Sequence, residues 1–139
     1  MSAEGERPRR VLFACTLNRT RSPLAEALAR LDLGARMEFE SCGAAPEDEF
    51  DPFMLAVLAE AGAPLPDDPG RGFDGVHGGY DLVVALTAEA RDRAAAEGYR
   101  VEYWPTPDPT GAEGSREQVL QTYRDLRDGL RARIRARFS

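Results

Sequence analysis

Val11-Leu12-Phe13-Ala14-Cys15-Thr16-Leu17-Asn18-Arg19-Thr20-Arg21-Ser22-Pro23-Leu24-Ala25-Glu26-Ala27-Leu28 is an apolar run, a polar loop and an amphipathic run in succession, and it reads as strand, anion-binding loop and helix. Cys15 stands where the strand ends and the helix is about to begin. Backbone N–H groups and the positive helix end converge there, surroundings that favour a thiolate. Arg21 brings a planar fork able to hold two phosphate oxygens against the sulfur, and Ser22 a hydroxyl able to hydrogen-bond it. Cys-x5-Arg-Ser is therefore a phosphate site with its own nucleophile. An isolated cysteine at a strand end is usually a small buried hydrophobe; Arg21 and Ser22 at phosphate-loop spacing reverse that reading. Asn18 suits a loop that curls its N–H groups inward, because Asn tolerates left-handed backbone angles.

Outward from this stretch, apolar runs alternate with helical patterns, the signature of βα units and a parallel sheet. The expected strands are Val11–Ala14, Met37–Ser41, Leu82–Leu86 and Val101–Trp104, and the expected helices Pro23–Leu31, Pro52–Ala61, Ala88–Glu97 and Arg116–Arg137. Asp51-Pro52, Thr87 and the capping box Ser115-Arg116-Glu117-Gln118 mark helix starts. Val119, Tyr123, Leu126, Leu130 and Ile134 make one apolar stripe on the last helix. The Pro/Gly-rich stretches Gly62–Gly79 and Pro105–Gly114 are connections within one domain, residues 1–139, the first long enough for a short helical turn. The predicted fold is α/β, a three-layer α/β/α sandwich on a four-stranded parallel sheet of strand order 2-1-3-4. The doubly wound rule puts the site at the carboxyl ends of the strands, where the Cys15 loop, Ser41 to Phe50, Thr87 and Trp104 to Gly114 meet.

Composition narrows the function classes. A chain of 139 residues can bury its own core, and two cysteines with one histidine, His77, make neither a disulfide framework nor a zinc cluster. His77 has no partner pattern and receives no role. A reduced, cytoplasmic setting is the simplest reading. No apolar run is long enough to span a bilayer, and Ser2 to Arg10 has arginines but no signal-peptide core before Cys15. Net charge is −6 and all 18 basic residues are arginine. An acidic chain argues against a nucleic-acid surface, and Arg124, Arg127, Arg131, Arg133, Arg135 and Arg137, interleaved with Asp125 and Asp128, read as a solvated helix face.

The residues resemble the low-molecular-weight protein tyrosine phosphatases and their arsenate-reductase relatives. The resemblance rests on the Cys-x5-Arg-Ser loop near the N-terminus, the Pro and Ala-Glu helix in Ser22-Pro23-Leu24-Ala25-Glu26-Ala27-Leu28, the Ser41-Cys42-Gly43 segment that ends the second strand, and Asp108-Pro109 near the C-terminus. It spans nearly the whole chain. It implies Cys15, Arg21 and Asp108 as catalytic residues, with Asp108 the general acid. It also implies that Ser41 braces the loop through Asn18. An Asp between prolines is by default a turn former; a carboxylic acid near the leaving oxygen would supply its proton and later take one from water.

Departures from the family's pattern bear on specificity. Leu17 stands where Gly is common, Thr20 where a second loop cysteine is common, and Thr110-Gly111 where aromatic residues flank a phosphotyrosine ring. Cys42 replaces a small residue and reads as a buried inert thiol. Phe50 and Glu47-Asp48-Glu49 are equally a pocket wall or a solvated loop.

The leading expectation is a metal-free, cofactor-free phosphomonoester hydrolase acting on a phosphorylated protein or small phosphate ester through a phosphocysteine. Arg21 and the backbone of Thr16, Leu17, Asn18, Arg19 and Thr20 would hold the phosphate, and Ser22 would stabilise the thiolate. An arsenate reductase is the first rival, although the third strand and the helix after it lack the resolving cysteines that the related reductases have there. A noncatalytic anion-binding or interaction module is the second. The resemblance implies that the Arg19 side chain points toward the leaving group, so the expected specificity is weak turnover of phosphotyrosine peptides and a preference for a second negative group near the phosphate. The bland alternative is an outward turn that pairs Arg19 with Glu47, Asp48 or Glu49.

Overall fold

The structure, a computed structural model, describes residues 8–76 and 78–139. Residues 2–7 of the arginine-bearing N-terminal stretch and His77 lie outside the described residues. The strands β1 (Arg10–Cys15), β2 (Glu38–Gly43), β3 (Leu82–Ala85) and β4 (Val101–Tyr103) form a parallel sheet in the order β2-β1-β3-β4. The expected strand order is the observed one. β1 is central, and its pairing sets Ala14 beside Cys42 and Cys15 beside Gly43 on one side, Ala14 beside Ala85 on the other.

Side chains alternate along β1. Val11, Phe13 and Cys15 enter the core formed with α1 (Arg21–Leu33), α2 (Pro52–Glu60) and α4 (Arg116–Phe138), whereas Leu12 and Ala14 enter the one formed with α3 (Ala88–Ala96). Helices thus cover both faces of the sheet, as a parallel sheet with continuous apolar strands requires. The cap signals act as their residue types dictate: Asp51 accepts from the Phe53 N–H at 2.9 Å, Thr87 from the Ala90 N–H at 3.2 Å, and Ser115 and Gln118 form both halves of a capping box.

Boundaries shift by a few residues. α1 begins at Arg21, ahead of the expected Pro23, because a proline in the first turn removes no hydrogen bond that the helix uses. β4 stops at Tyr103: the Trp104 N–H still meets the Ala85 carbonyl, but the Thr106 N–H meets that of Leu86, one residue short of the ladder's regular step. A 3₁₀ turn, Phe73–Gly75, occupies the long connection after α2, and a second, Pro109–Gly111, follows Asp108.

The α4 face expected to be solvated is instead a seam. Arg131 and Arg135 both bind Asp32 of α1, Arg124 and Arg127 bind Glu60 of α2, and Arg137 binds Glu102 of β4. The helix lies across α1 and α2, so its arginines meet acids that no local pattern reveals. Its buried stripe is Leu120, Tyr123, Leu130, Ile134 and Phe138, with Val119 and Leu126 half-buried beside it.

Candidate active site

β1 ends at the switch point of the sheet, where its neighbours β2 and β3 lead the chain in opposite directions, and the loop after Cys15 fills that crevice. Its carbonyl groups are turned outward. The oxygens of Cys15, Thr16, Leu17 and Arg19 accept from the N–H groups of Ala44, Ala45, Glu47 and Asp51 at 2.7–3.1 Å. A peptide unit with its carbonyl outward has its N–H inward, which makes a cradle for an anion. The Asn18 N–H meets Cys15 Sγ at 3.3 Å. Asn18 has φ +52°, the left-handed conformation expected of it. Gly43 allows the loop to pass: a Cβ there would lie 2.7 Å from the Asn18 nitrogen and 2.8 Å from the Thr16 oxygen.

Around the sulfur the polar groups form a chain. Ser22 Oγ lies 2.9 Å from Cys15 Sγ and 3.2 Å from the Cys42 carbonyl oxygen. Asn18 Nδ2 donates to Ser22 Oγ at 2.9 Å and to Ser41 Oγ at 3.0 Å, and Ser41 donates to Glu26 Oε1 at 2.5 Å. Ser41 thus touches Asn18, the contact the resemblance implies for it. A Ser22 hydroxyl fed by Asn18 has one proton to place. It can serve the Cys42 carbonyl when Cys15 is a thiol and turn to the sulfur when Cys15 is a thiolate. Glu26 is nearly inaccessible, and burial pushes its carboxyl up against the opposing pull of Ser41 and Arg30.

Thr20 stands at the N-cap of α1 but makes no cap hydrogen bond; its hydroxyl donates to Asp51 Oδ2 at 3.0 Å. The same oxygen accepts from Tyr123 Oη at 2.6 Å, so a buried carboxylate ties the loop to α4. The first-turn N–H groups of α1 are left without a side-chain cap, the arrangement that suits an incoming anion. Removing one donor from Asp51 should cost about 1–3 kcal/mol, the usual penalty for a buried acceptor left short of partners. We expect Tyr123→Phe to lower the denaturant midpoint accordingly, with an unchanged midpoint counting against the brace.

Arg21 Nη1 donates to the Thr106 carbonyl oxygen at 2.8 Å and so joins the Cys15 loop to the loop that holds Asp108. Thr110 donates to Asp108 Oδ1 twice, from its N–H at 3.0 Å and its hydroxyl at 2.7 Å, which leaves Oδ2 without a protein partner among the described residues. Burial pushes the Asp108 carboxyl up, but the two Thr110 hydrogen bonds and the Arg21 charge outweigh it, and the group lies below its ordinary range. Thr16, Leu17, Arg21, Thr87, Glu89, Tyr103 and Asp108 line one cleft of about 640 Å³. That cleft can hold a phosphate with a side-chain-sized leaving group.

The Arg19 side chain is elsewhere. Its Nη1 lies 2.8 Å from Glu49 Oε1 and 3.7 Å from Glu47 Oε1, and these residues with Pro46 and Asp48 line a separate surface hollow. Phe50 packs against the core. Neither the acidic triplet nor Phe50 belongs to the cleft, because the Ala44–Asp51 segment is drawn along the outside of the loop by its carbonyl groups.

The cysteines stand apart in orientation. Cys42 shares the α3 face with Leu12 and Ala14, Cys15 the opposite face with Val11 and Phe13, and side chains on opposite faces of a sheet cannot form a disulfide without backbone movement. Burial pushes the Cys42 thiol well up, and Cys15 adds to the rise.

Sequence reading missed three participants. Glu26 is legible in retrospect, since Ser22, Glu26 and Arg30 recur every fourth residue on one face of α1. Asp51 as a loop brace and Tyr123 as its donor are not, because 72 residues separate them.

The profile of the family described as "Low molecular weight phosphotyrosine protein phosphatase" matches residues 10–136. The chain belongs to that family. Within it, the chain is similar to an arsenate reductase of Bacillus licheniformis, 29% identical over 128 residues that cover 90% of this chain and 91% of the relative. A crystal structure of an arsenate reductase from Archaeoglobus fulgidus matches with TM-score 0.71 and 25% identity, over 91% of this chain and 96% of that one. The YwlE arginine phosphatase from Geobacillus stearothermophilus shares the fold, with TM-score 0.75 and 24% identity over 92% of this chain and 89% of that one. Among the described residues, no helix is long and apolar enough to cross a membrane, and no cluster of His, Cys, Asp and Glu could hold a metal ion.

Proposed function

We propose that this family member is a phosphomonoesterase that works through a phosphocysteine on Cys15. The observation that supports this most is the convergence on one sulfur of the Asn18 N–H and the Ser22 hydroxyl, with Arg21 linking that loop to the loop of Asp108. Cys15 attacks phosphorus in line with the ester oxygen. The loop N–H groups and Arg21 hold the three equatorial oxygens where charge spreads in the transition state. Asp108, through Oδ2, protonates the departing oxygen and then takes a proton from the water that cleaves the thiophosphate bond. Ser22 donates to the sulfur as it becomes a leaving group.

Arsenate reduction is the second reading, favoured by the names of the curated relatives. Reducing arsenate to arsenite takes two electrons from two thiols that end as a disulfide. Cys42 is a poor second thiol, being buried on the far face of the sheet, so that route would require an external thiol. An assay of aryl phosphate hydrolysis beside arsenate reduction, with and without a small-molecule thiol, separates the readings. We expect hydrolysis that persists in chelator and is inhibited by arsenate, with no arsenite formed. Thiol-dependent arsenite release without phosphatase turnover would reverse the assignment.

A further inference from the structure

We infer that Glu89 makes this cleft selective for substrates carrying a cationic group close to the phosphate, an inference that rests on the cleft being the phosphate site proposed above. Glu89 lies in the first turn of α3, and its Oε1 accepts from Thr16 Oγ1 at 3.2 Å, so its carboxylate is held against the first residue after Cys15. It is exposed and, among the described residues, has no ion-pair partner. Asp108 lines the same cleft.

The nearby arginines do not offset this charge. Arg21 donates to the Thr106 carbonyl and, in the function proposed above, is taken up by the phosphate. Arg19, the other loop cation, is paired with Glu49 outside the cleft. Arg91 lies over the Tyr103 ring at 4.7 Å but is neutralised by Asp92 at 3.0 Å. A dianionic phosphate seated on the loop therefore has an uncompensated carboxylate at its rim. An ammonium or guanidinium on the same substrate relieves that repulsion, while a second acidic group adds to it. Leu17 and Tyr103, which also line the cleft, can pack the carbon frame between the two charges. This reverses the preference for a second negative group that a cleft-facing Arg19 would give.

The test is the binding of two non-hydrolysable probes, para-aminomethyl phenylphosphonate and para-methyl phenylphosphonate, to wild type and Glu89→Gln by calorimetry. The amide keeps an oxygen for Thr16 and removes only the charge. We expect the cationic probe to bind wild type about two- to fivefold more tightly, as an exposed charge pair allows, with the ratio falling toward one in the variant and in high salt. A phosphotyrosine peptide flanked by arginine, set against one flanked by glutamate on the Cys15→Ser protein, tests whether a peptide can supply the cation. Equal ratios with and without Glu89→Gln in both pairs, the peptides being compared in the Cys15→Ser background, or failure of the phosphonates to bind, would overturn the inference. Binding requires no turnover, so these results stand apart from those of the hydrolysis assay.

Discussion

Cys15→Ser is expected to lose aryl phosphate turnover by at least about 10⁴-fold while still binding phosphate, because the substitution removes the nucleophile and leaves the rest of the site. The anion cradle is backbone, fixed by the outward carbonyl contacts to Ala44–Asp51 and by Gly43, and none of these involves the sulfur. A hydroxyl in its place is un-ionised at neutral pH and has no neighbouring base to activate it: Ser22 and Asn18 are donors or neutral acceptors. The loss should fall on kcat, with the dissociation constant of inorganic phosphate changed little. A parallel loss of phosphate affinity would show that the sulfur shapes the loop, and retained turnover would remove Cys15 from the mechanism.

Asp108→Asn is the second large effect. We expect a loss of about 10²–10⁴-fold on alkyl phosphates, whose leaving oxygen needs a proton, and a much smaller one on aryl phosphates that depart as stable phenoxides. The sign of the pH dependence follows from the environment of Asp108. Its carboxyl lies below the ordinary range in the free protein, so the protonated acid becomes scarcer as pH rises and kcat/KM on poor leaving groups should fall with rising pH. Bound phosphate raises that carboxyl, since the Arg21 charge that helps lower it is then shared with a dianion. The profile for kcat should accordingly lie at higher pH than that for kcat/KM. Asp108→Asn should flatten both. An equal loss on aryl and alkyl substrates would place the acid elsewhere.

Much of this site was legible in the sequence because its central part is local. The stretch from Val11 to Leu28 contains strand, loop and helix in one run, and the left-handed Asn18, the Ser22 contact and the uncapped helix start all lie within it. The parallel sheet followed from the alternation of apolar runs with helical patterns, and the caps at Asp51, Thr87 and Ser115 from residue types with short-range partners. What escaped reading depends on distant chain segments. The Arg19 side chain, expected toward the leaving group, is held outside by Glu49, which is brought alongside when the loop carbonyls capture the Ala44–Asp51 segment. The α4 arginines looked solvated because Asp32, Glu60 and Glu102 lie 35 to 103 residues away. Glu89 carried only a helix-start signal, and its place in the cleft comes from the β1–β3 pairing that sets Thr16 beside Thr87.

Turnover through Cys15 requires a covalent phosphoryl group on its sulfur. The most direct measurement is rapid quenching of the Asp108→Asn protein during turnover of an aryl phosphate, with mass spectrometry of the peptide that contains Cys15. Without the carboxylate to activate water, the second step slows more than the first. Phosphate should therefore accumulate on the Cys15 sulfur alongside a burst of phenol equal to the enzyme present. Phenol release with no burst and no phosphate on Cys15, or phosphate on any other residue, would contradict the account.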